Sequence, residues 1–476
     1  MKSILKAFSA VALSGAMVLP ALAQTATATG TTTAKDQKDL KKVIEDQGIN
    51  YVETAQKGIT LSGYVDTSYT EQFAGAGQYA PAKPFATNPG GGPGNTQGTI
   101  VNGTNAGSNI HQFDTSNNTF NVNAVKIALE KALPDKNEWA AGFRIDTIYG
   151  SDAKYLGDTA FNGTAGNTSG LALEQALVKF RIPIGNGLDI YMGKFVTFLG
   201  YEVIESPANL NFSRGLLFTN AIPLTHTGIY GDYKFNDTVE VKLGIVDGWN
   251  NSTSSSVAVP AGSTGINDDG GFGKAITGQI NVNAPGKNAN ITQSFIYSDQ
   301  GEPGVVGVDN GPLVVYDIWG NWNPTFVKDS ALTLGLNADL GYNGASGYPG
   351  SPSPSAFGTV GAPTALNGSI SDSNTWWGVA AYASYKFTKV FTLSARGEYL
   401  HEDAAWNPKF GATDVINDDF SETLTASFSI WDNLLTRLEY RYDHYTSGTI
   451  VGVSGAVDKG AFSNENEISL NAVYSF

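Results

Sequence analysis

Leu332-Thr333-Leu334-Gly335-Leu336-Asn337-Ala338-Asp339-Leu340-Gly341-Tyr342 alternates without a break. Successive side chains of an extended chain point to opposite sides. Leu332, Leu334, Leu336, Ala338, Leu340 and Tyr342 therefore share one face, and Thr333, Gly335, Asn337, Asp339 and Gly341 share the other. The run is near the ~10 residues that a tilted membrane strand needs and longer than the ~5–6 of soluble sheets. The same period appears in Trp139, Ala141, Phe143, Ile145, Thr147 and Tyr149 against Ala140, Gly142, Arg144 and Asp146. It appears again at both ends, with Ile59, Leu61, Val65 and Tyr69 against Ser62, Tyr64, Asp66 and Ser68, and with Ile468 to Phe476 against Glu467, Ser469 and Asn471. One face is apolar with aromatics at its ends, and the other is small and polar with isolated charges. A soluble sandwich also alternates, but lipid outside and water inside explain this composition better. Segments 118–133, 171–182 and 289–298 have mixed faces.

The connections set the topology. Short turns fall at Pro134–Asn137, Pro183–Gly187, Asn236–Asp237, Pro285–Asn288, Pro324–Asp329, Thr388–Lys389 and Asp432–Asn433. Between them lie long segments rich in Gly, Ser, Asn and Pro, namely 73–117, 151–170, 200–223, 250–273, 299–312, 343–374, 402–418 and 446–463. Long unstructured loops are uncommon in compact soluble domains, whereas membrane barrels have short turns on one side and long loops on the other. The alternation predicts an all-β fold, a transmembrane antiparallel barrel of about sixteen strands over residues 58–476, with fourteen or eighteen left open by the three mixed segments.

The chain before it reads as two pieces. Lys2 and Lys6, the apolar run 7–19 and Pro20-Ala21-Leu22-Ala23 predict a secretory leader, residues 1–23, with Gln24 first in the mature chain. Residues 24–57 predict a linker and a short periplasmic helix, with Leu40, Val43 and Ile44 at helical spacing. Nothing later reaches ~18 consecutive apolar residues, so spanning helices are not expected, while a closed barrel remains open to an exported chain. Charged residues are 15%, glycines are 56 of 476, and the net charge is -15. An acidic chain lacks the electrostatic footprint for nucleic acid. The chain has no cysteine, which excludes thiolate metal sites, disulfides and cysteine nucleophiles.

No catalytic constellation stands out. His111, His226, His401 and His444 have no metal-pair spacing, and the Gly75–Ala80 match to G-x-G-x-x-A lies in a Gly/Pro loop without a following helix. The reading is of a protein that is not an enzyme and needs no cofactor. The apolar faces instead direct Asp66, Arg144, Asp146, Glu240, Lys242, Asp339, Arg396, Glu398, Arg437, Glu439 and Arg441 to the lumen, since Arg or Lys on the lipid face costs ~2–4 kcal/mol at the midplane. A wet lumen would keep these groups ionised.

One segment carries more than pattern. Glu205-Ser206-Pro207-Ala208-Asn209-Leu210-Asn211-Phe212-Ser213-Arg214-Gly215-Leu216-Leu217-Phe218, then Pro223 and His226-Thr227-Gly228, resembles the motif of the bacterial "putative β-barrel porin-2, OmpL-like" family. Phe212 and Gly215 depart from the Tyr and Ser more usual there. The resemblance implies an outer-membrane channel in contact with outer-membrane lipid. By analogy with porins, the third long loop (200–223) folds inward, and Glu202, Glu205, Asn209, Asn211 and Arg214 form a constriction that acts on permeating ions. A homotrimer follows from the same fold-level analogy. Phe476 ends an alternating strand and resembles the signal that outer-membrane barrels show to the barrel assembly machinery. The alternative is a non-conducting barrel serving surface attachment.

Overall fold

The computed structural model describes residues 58–74, 113–114, 118–156, 170–248, 274–298, 309–346, 374–402, 416–447, 450–451, 457–458 and 464–476. The leader 1–23, the segment 24–57, the Gly75–Ala80 match and His111 lie outside them. Sixteen strands close into one antiparallel barrel. They are β1 (Ile59–Ala74), β2 (Thr119–Lys131), β3 (Ala140–Tyr149), β4 (Leu171–Ile182), β5 (Leu188–Val196), β6 (Thr225–Lys234), β7 (Val239–Val246), β8 (Ala275–Asn283), β9 (Ala289–Ser298), β10 (Asp309–Trp322), β11 (Leu332–Ser346), β12 (Asn374–Lys386), β13 (Phe391–Glu402), β14 (Ile416–Trp431), β15 (Leu434–Ser447) and, after the two-residue strands β16 (Ile450–Val451) and β17 (Val457–Asp458), β18 (Asn464–Ser475). Each of β2 to β14 pairs with its sequence neighbours, and β18 lies between β15 and β1; β16 and β17 form a separate pair. The seven short turns fall where the sequence places them, between β2 and β3, β4 and β5, and so on to β14 and β15.

Outward side chains make the lipid belt. Leu336 is 63% exposed, and Leu61, Ile127, Met192, Leu243, Leu438 and Leu470 are exposed with it. Near the short turns, Phe387 stacks on Phe391 and Phe391 on Phe428. Towards the other end Tyr399 packs on Trp377 and Phe420. These are the two aromatic girdles of a membrane barrel. No helix among the described residues is long and apolar enough to cross a membrane; the strands do the crossing.

Two of the bulges break the period of two beside the loop. β1 and β2 shift register between Asp66 and Thr67, where Asn123 is extra, and β3 and β4 shift between Asp146 and Thr147, where Glu174 is extra. A bulge inserts one residue and changes which parity faces inward. It brings Asn123, Lys126, Glu174 and Gln175 to buried positions.

The seam closes on a glycine. Gly63 and Phe476 exchange backbone hydrogen bonds, 3.0 and 2.9 Å. A Cβ on Gly63 would stand 2.1 Å from the Lys126 carbonyl oxygen and 2.8 Å from the Phe476 ring. Gly63→Val is therefore expected to block closure. The check is gel mobility of unboiled outer-membrane extract, where the compact folded band should be lost; a normal band would show that the seam tolerates the side chain.

Candidate functional site in the barrel lumen

The segment between β5 and β6 lies inside the barrel. Its neck is tied where the Thr197 N–H donates to the Leu224 carbonyl, 3.0 Å. Gly200 supplies a turn at φ 96, a backbone region open mainly to glycine. The loop then tracks around the inner wall. Gln279 of β8 and Ser294 of β9 both donate to the Phe198 carbonyl at 2.8 Å. The Tyr201 hydroxyl donates to Asn321 of β10 at 2.7 Å, its N–H to Asn337 of β11 at 3.3 Å, and its ring stacks on Tyr382 of β12 at 4.1 Å. A short 3-10 turn, Ser206–Ala208, and a π-helical turn, Leu217–Ala221, give the loop local shape. Trp376 of β12 donates to the Ala221 carbonyl, 3.1 Å.

Charged residues of β13 to β15 hold the loop from the wall. Arg396 reaches Glu202 at 2.7 Å, the Ser213 carbonyl at 2.6 Å and Glu398 at 2.8 Å. Glu439 accepts from the Phe212 and Ser213 N–H groups at 2.6 and 2.8 Å and from Thr425 at 2.7 Å. Arg437 donates to the Ser206 and Asn211 carbonyls, both 3.0 Å, and Arg441 to the Arg214 carbonyl, 2.8 Å. Charge-assisted bonds of this kind are the stronger class, and guanidinium places several donors in one plane. Past the neighbouring strands β18 and β1, Lys126 of β2 lies 2.6 Å from Glu205.

The five loop residues expected at the constriction are all in this assembly, in different roles. Glu202 also accepts from the Gly215 N–H. Asn209 staples the loop internally, accepting from the Val203 N–H at 2.9 Å and donating to its carbonyl at 2.7 Å. Asn211 donates to Thr425 at 2.6 Å. Glu205 bonds Lys126. Arg214 was expected to act on passing ions, but only 2% of it is exposed. It donates to the Phe212 carbonyl at 3.1 Å and to the Ile204 carbonyl, lies 3.7 Å from Asp152, and covers the Phe113 ring at 4.8 Å. Its charge is spent on bracing the loop. Asp152, in the connection after β3, has a carboxyl that burial raises well above the usual range despite Arg214.

The wall residues divide in two. Asp66, Asp146, Asp339, Arg396, Glu398, Arg437, Glu439 and Arg441 are buried. The expectation of ionised groups in open water does not describe them, because the loop and its neighbours cover them. Asp339 is the cross-strand partner of Asp317, beneath the loop. Arg144, Glu240 and Lys242 keep contact with solvent: Arg144 is 30% exposed and Lys242 24%. Sequence reasoning missed Lys126 and Glu174, hidden by the bulges, and Glu130, Lys179, Arg181, Asp189 and Asp232, which alternate inward on their strands.

Asp146, Glu174 and Glu205 bring carboxylate oxygens within 4.8 Å of one another. A cation would fit among them, and Lys126 already supplies one, 3.1 Å from Asp146 and 2.6 Å from each glutamate. The cluster is a protein ion-pair network rather than an open metal site.

The family model described as "Putative beta-barrel porin-2, OmpL-like" matches residues 58–476. No curated protein matches the chain. Among solved structures, the anion-selective porin from Comamonas acidovorans is similar at 10% identity, with a TM-score of 0.51 over 88% of this chain and 99% of that one. The outer membrane channel DcaP of Acinetobacter baumannii is similar at 11% identity, with a TM-score of 0.50 over 88% of this chain and 97% of that one. At such identities the likeness shows the shared fold.

Proposed function

Because the chain belongs to the β-barrel porin-2, OmpL-like family, and is thus an outer-membrane channel for passive diffusion, we infer that its passage is set by the loop 200–223 clamped inside the barrel. The family and the fold indicate a channel rather than an enzyme, and do not favour a non-conducting attachment barrel.

The observation that carries the inference is the loop's attachment at many points. It bonds to β10, β11, β12, β13, β14 and β15 and, through Lys126, to β2, while Phe198 at its neck is held by β8 and β9. A loop held on so many strands cannot swing freely, so it narrows the lumen as a fixed insert. Glu202, Glu205, Asn209, Asn211 and Arg214 set its shape. Small hydrophilic solutes pass what the insert leaves open, and size exclusion follows from its rigidity. No bound group or moving part is needed for such a passage.

Shortening the loop tests this. Replacing residues 203–213 by a short Gly/Ser link removes nearly half of the insert while leaving the strands intact. Single-channel conductance in a planar bilayer is expected to rise several-fold, and liposome swelling to extend to larger sugars. Unchanged conductance and size limit in a correctly inserted variant would place the narrowing elsewhere.

A further inference from the structure

The loop is anchored mainly on β8 to β15, reaches β2 at Lys126, and leaves part of the wall from β2 to β7 accessible. On β13 and β15 the charges lie sealed beneath it, with Arg396 and Glu398 side chains both at 0% exposure. On β2 to β7 Lys126, Asp146 and Glu174 are buried as well, but a second group meets solvent, with Arg144 at 30%, Glu130 at 26%, Lys242 at 24% and Glu240 at 21%. This accessible wall also has an internal order. Arg181 is the cross-strand partner of Asp189, Asp189 of Asp232, and Asp232 of Lys242. The row across β4 to β7 therefore reads plus, minus, minus, plus, at strand spacings of roughly 5 Å. Each cation has an acid at hand: Arg181 is 2.6 Å from Asp189, Arg144 is 3.3 Å from Glu130, and Lys242 is 3.7 Å from Glu240. Below the row a cleft of about 830 Å³ opens at the short-turn mouth and includes Glu240 and Lys234 in its lining.

Charges that touch water act on a passing ion, while charges locked in a covered network keep their field among themselves. We propose that solutes are sorted by charge on this β2–β7 wall and not at the loop. With Lys179 beside Glu130, the wall sets four cations (Arg144, Lys179, Arg181, Lys242) against four acids (Glu130, Asp189, Asp232, Glu240), so the passage favours neither small anions nor small cations and admits hydrophilic solutes of low net charge, zwitterions among them. Size is set by the loop and charge by the facing wall. The inference rests on the reading of the chain as a water-filled porin.

Reversal potential under a KCl gradient separates the two walls, with single-channel conductance recorded on the same insertions. The parent protein should show a permeability ratio near one. Lys242→Ala should shift the ratio about two- to threefold towards cations, and Glu240→Gln by about as much towards anions, most clearly at low salt. Glu439→Gln, on the covered wall, should change conductance by loosening the loop and leave the ratio in place. A strongly selective parent, or a ratio that ignores both wall variants, overturns the proposal while the porin reading stands. So does a ratio that follows Glu439→Gln as closely as the wall changes. A parent that inserts but passes no current overturns the porin reading and this proposal with it.

Discussion

Arg396→Ala should lower the unfolding free energy of the barrel by about 3–5 kcal/mol and raise its conductance in the same preparation. Arg396 is fully buried, and its guanidinium is the shared partner of Glu202 and Glu398 while also donating to the Ser213 carbonyl and to Thr423. Alanine leaves two carboxylates in a covered site without their bonded counter-charge. Breaking one partner of a buried network is far more damaging than replacing the whole network with apolar groups, because the surviving charges keep their desolvation cost. The loop loses a strut at Glu202 and Ser213 in the same step, so the passage should widen. Urea titration in lipid vesicles reads the first effect, and bilayer recording reads the second. Arg396→Lys keeps the charge but not the planar set of donors, and should fall between the two. A variant with parental stability and parental conductance would show that the network is incidental to both.

Leu336→Arg should cost about 2–4 kcal/mol, since Leu336 faces outward on β11 and lies 63% exposed in the lipid belt. Arginine at inward-facing, half-buried Asn281, on β8 opposite Glu240, is the matched control and should fold with little loss. The neighbour Asn337 makes a poor control, although the alternation puts it on the wet face. It is buried, donates to Asp317 at 2.6 Å and accepts from the Tyr201 N–H at 3.3 Å. Arginine there would displace the loop. Folding yield and urea titration in vesicles check the pair, and equal losses at Leu336 and Asn281 would mean that the lipid and lumen faces are assigned the wrong way round.

The contrast between Leu336 and Asn337 shows how far sequence carries. A period of two tells which side of the wall a residue faces, and in β11 and β18 it could be read without error. It failed in β2 and β4 for a physical reason. The extra residues Asn123 and Glu174 reverse the parity partway along, so both faces look mixed when averaged over the strand. In β9 the mixture has another origin: Gln293 faces outward and takes a hydrogen bond from the Tyr316 hydroxyl, 2.7 Å. Facing inward is also a different property from meeting water. Arg144 and Arg396 have the same parity relation to their apolar neighbours, yet one is solvated and the other sealed. What decides between them is a loop some two hundred residues from Arg396 in the chain, and no local pattern encodes that distance. The inward loop itself was expected by analogy with porins, from its place as the third long loop, whereas the partner of each of its charges was not legible.

The clamp inside the barrel also bears on its seam. The loop bonds to β2 through Lys126 and Glu205, and to β15 through Arg437, Glu439 and Arg441. Those strands flank the junction where β18 meets β1. The insert therefore spans the junction from within, like a tie-beam between two door posts. Parting β1 from β18 would require tearing their ladder and, unless the flanks moved together, stripping the loop from one post. Lateral opening of the wall towards the bilayer is opposed by ion pairs that never touch the bilayer, and the same insert that limits what passes along the axis also resists escape through the side.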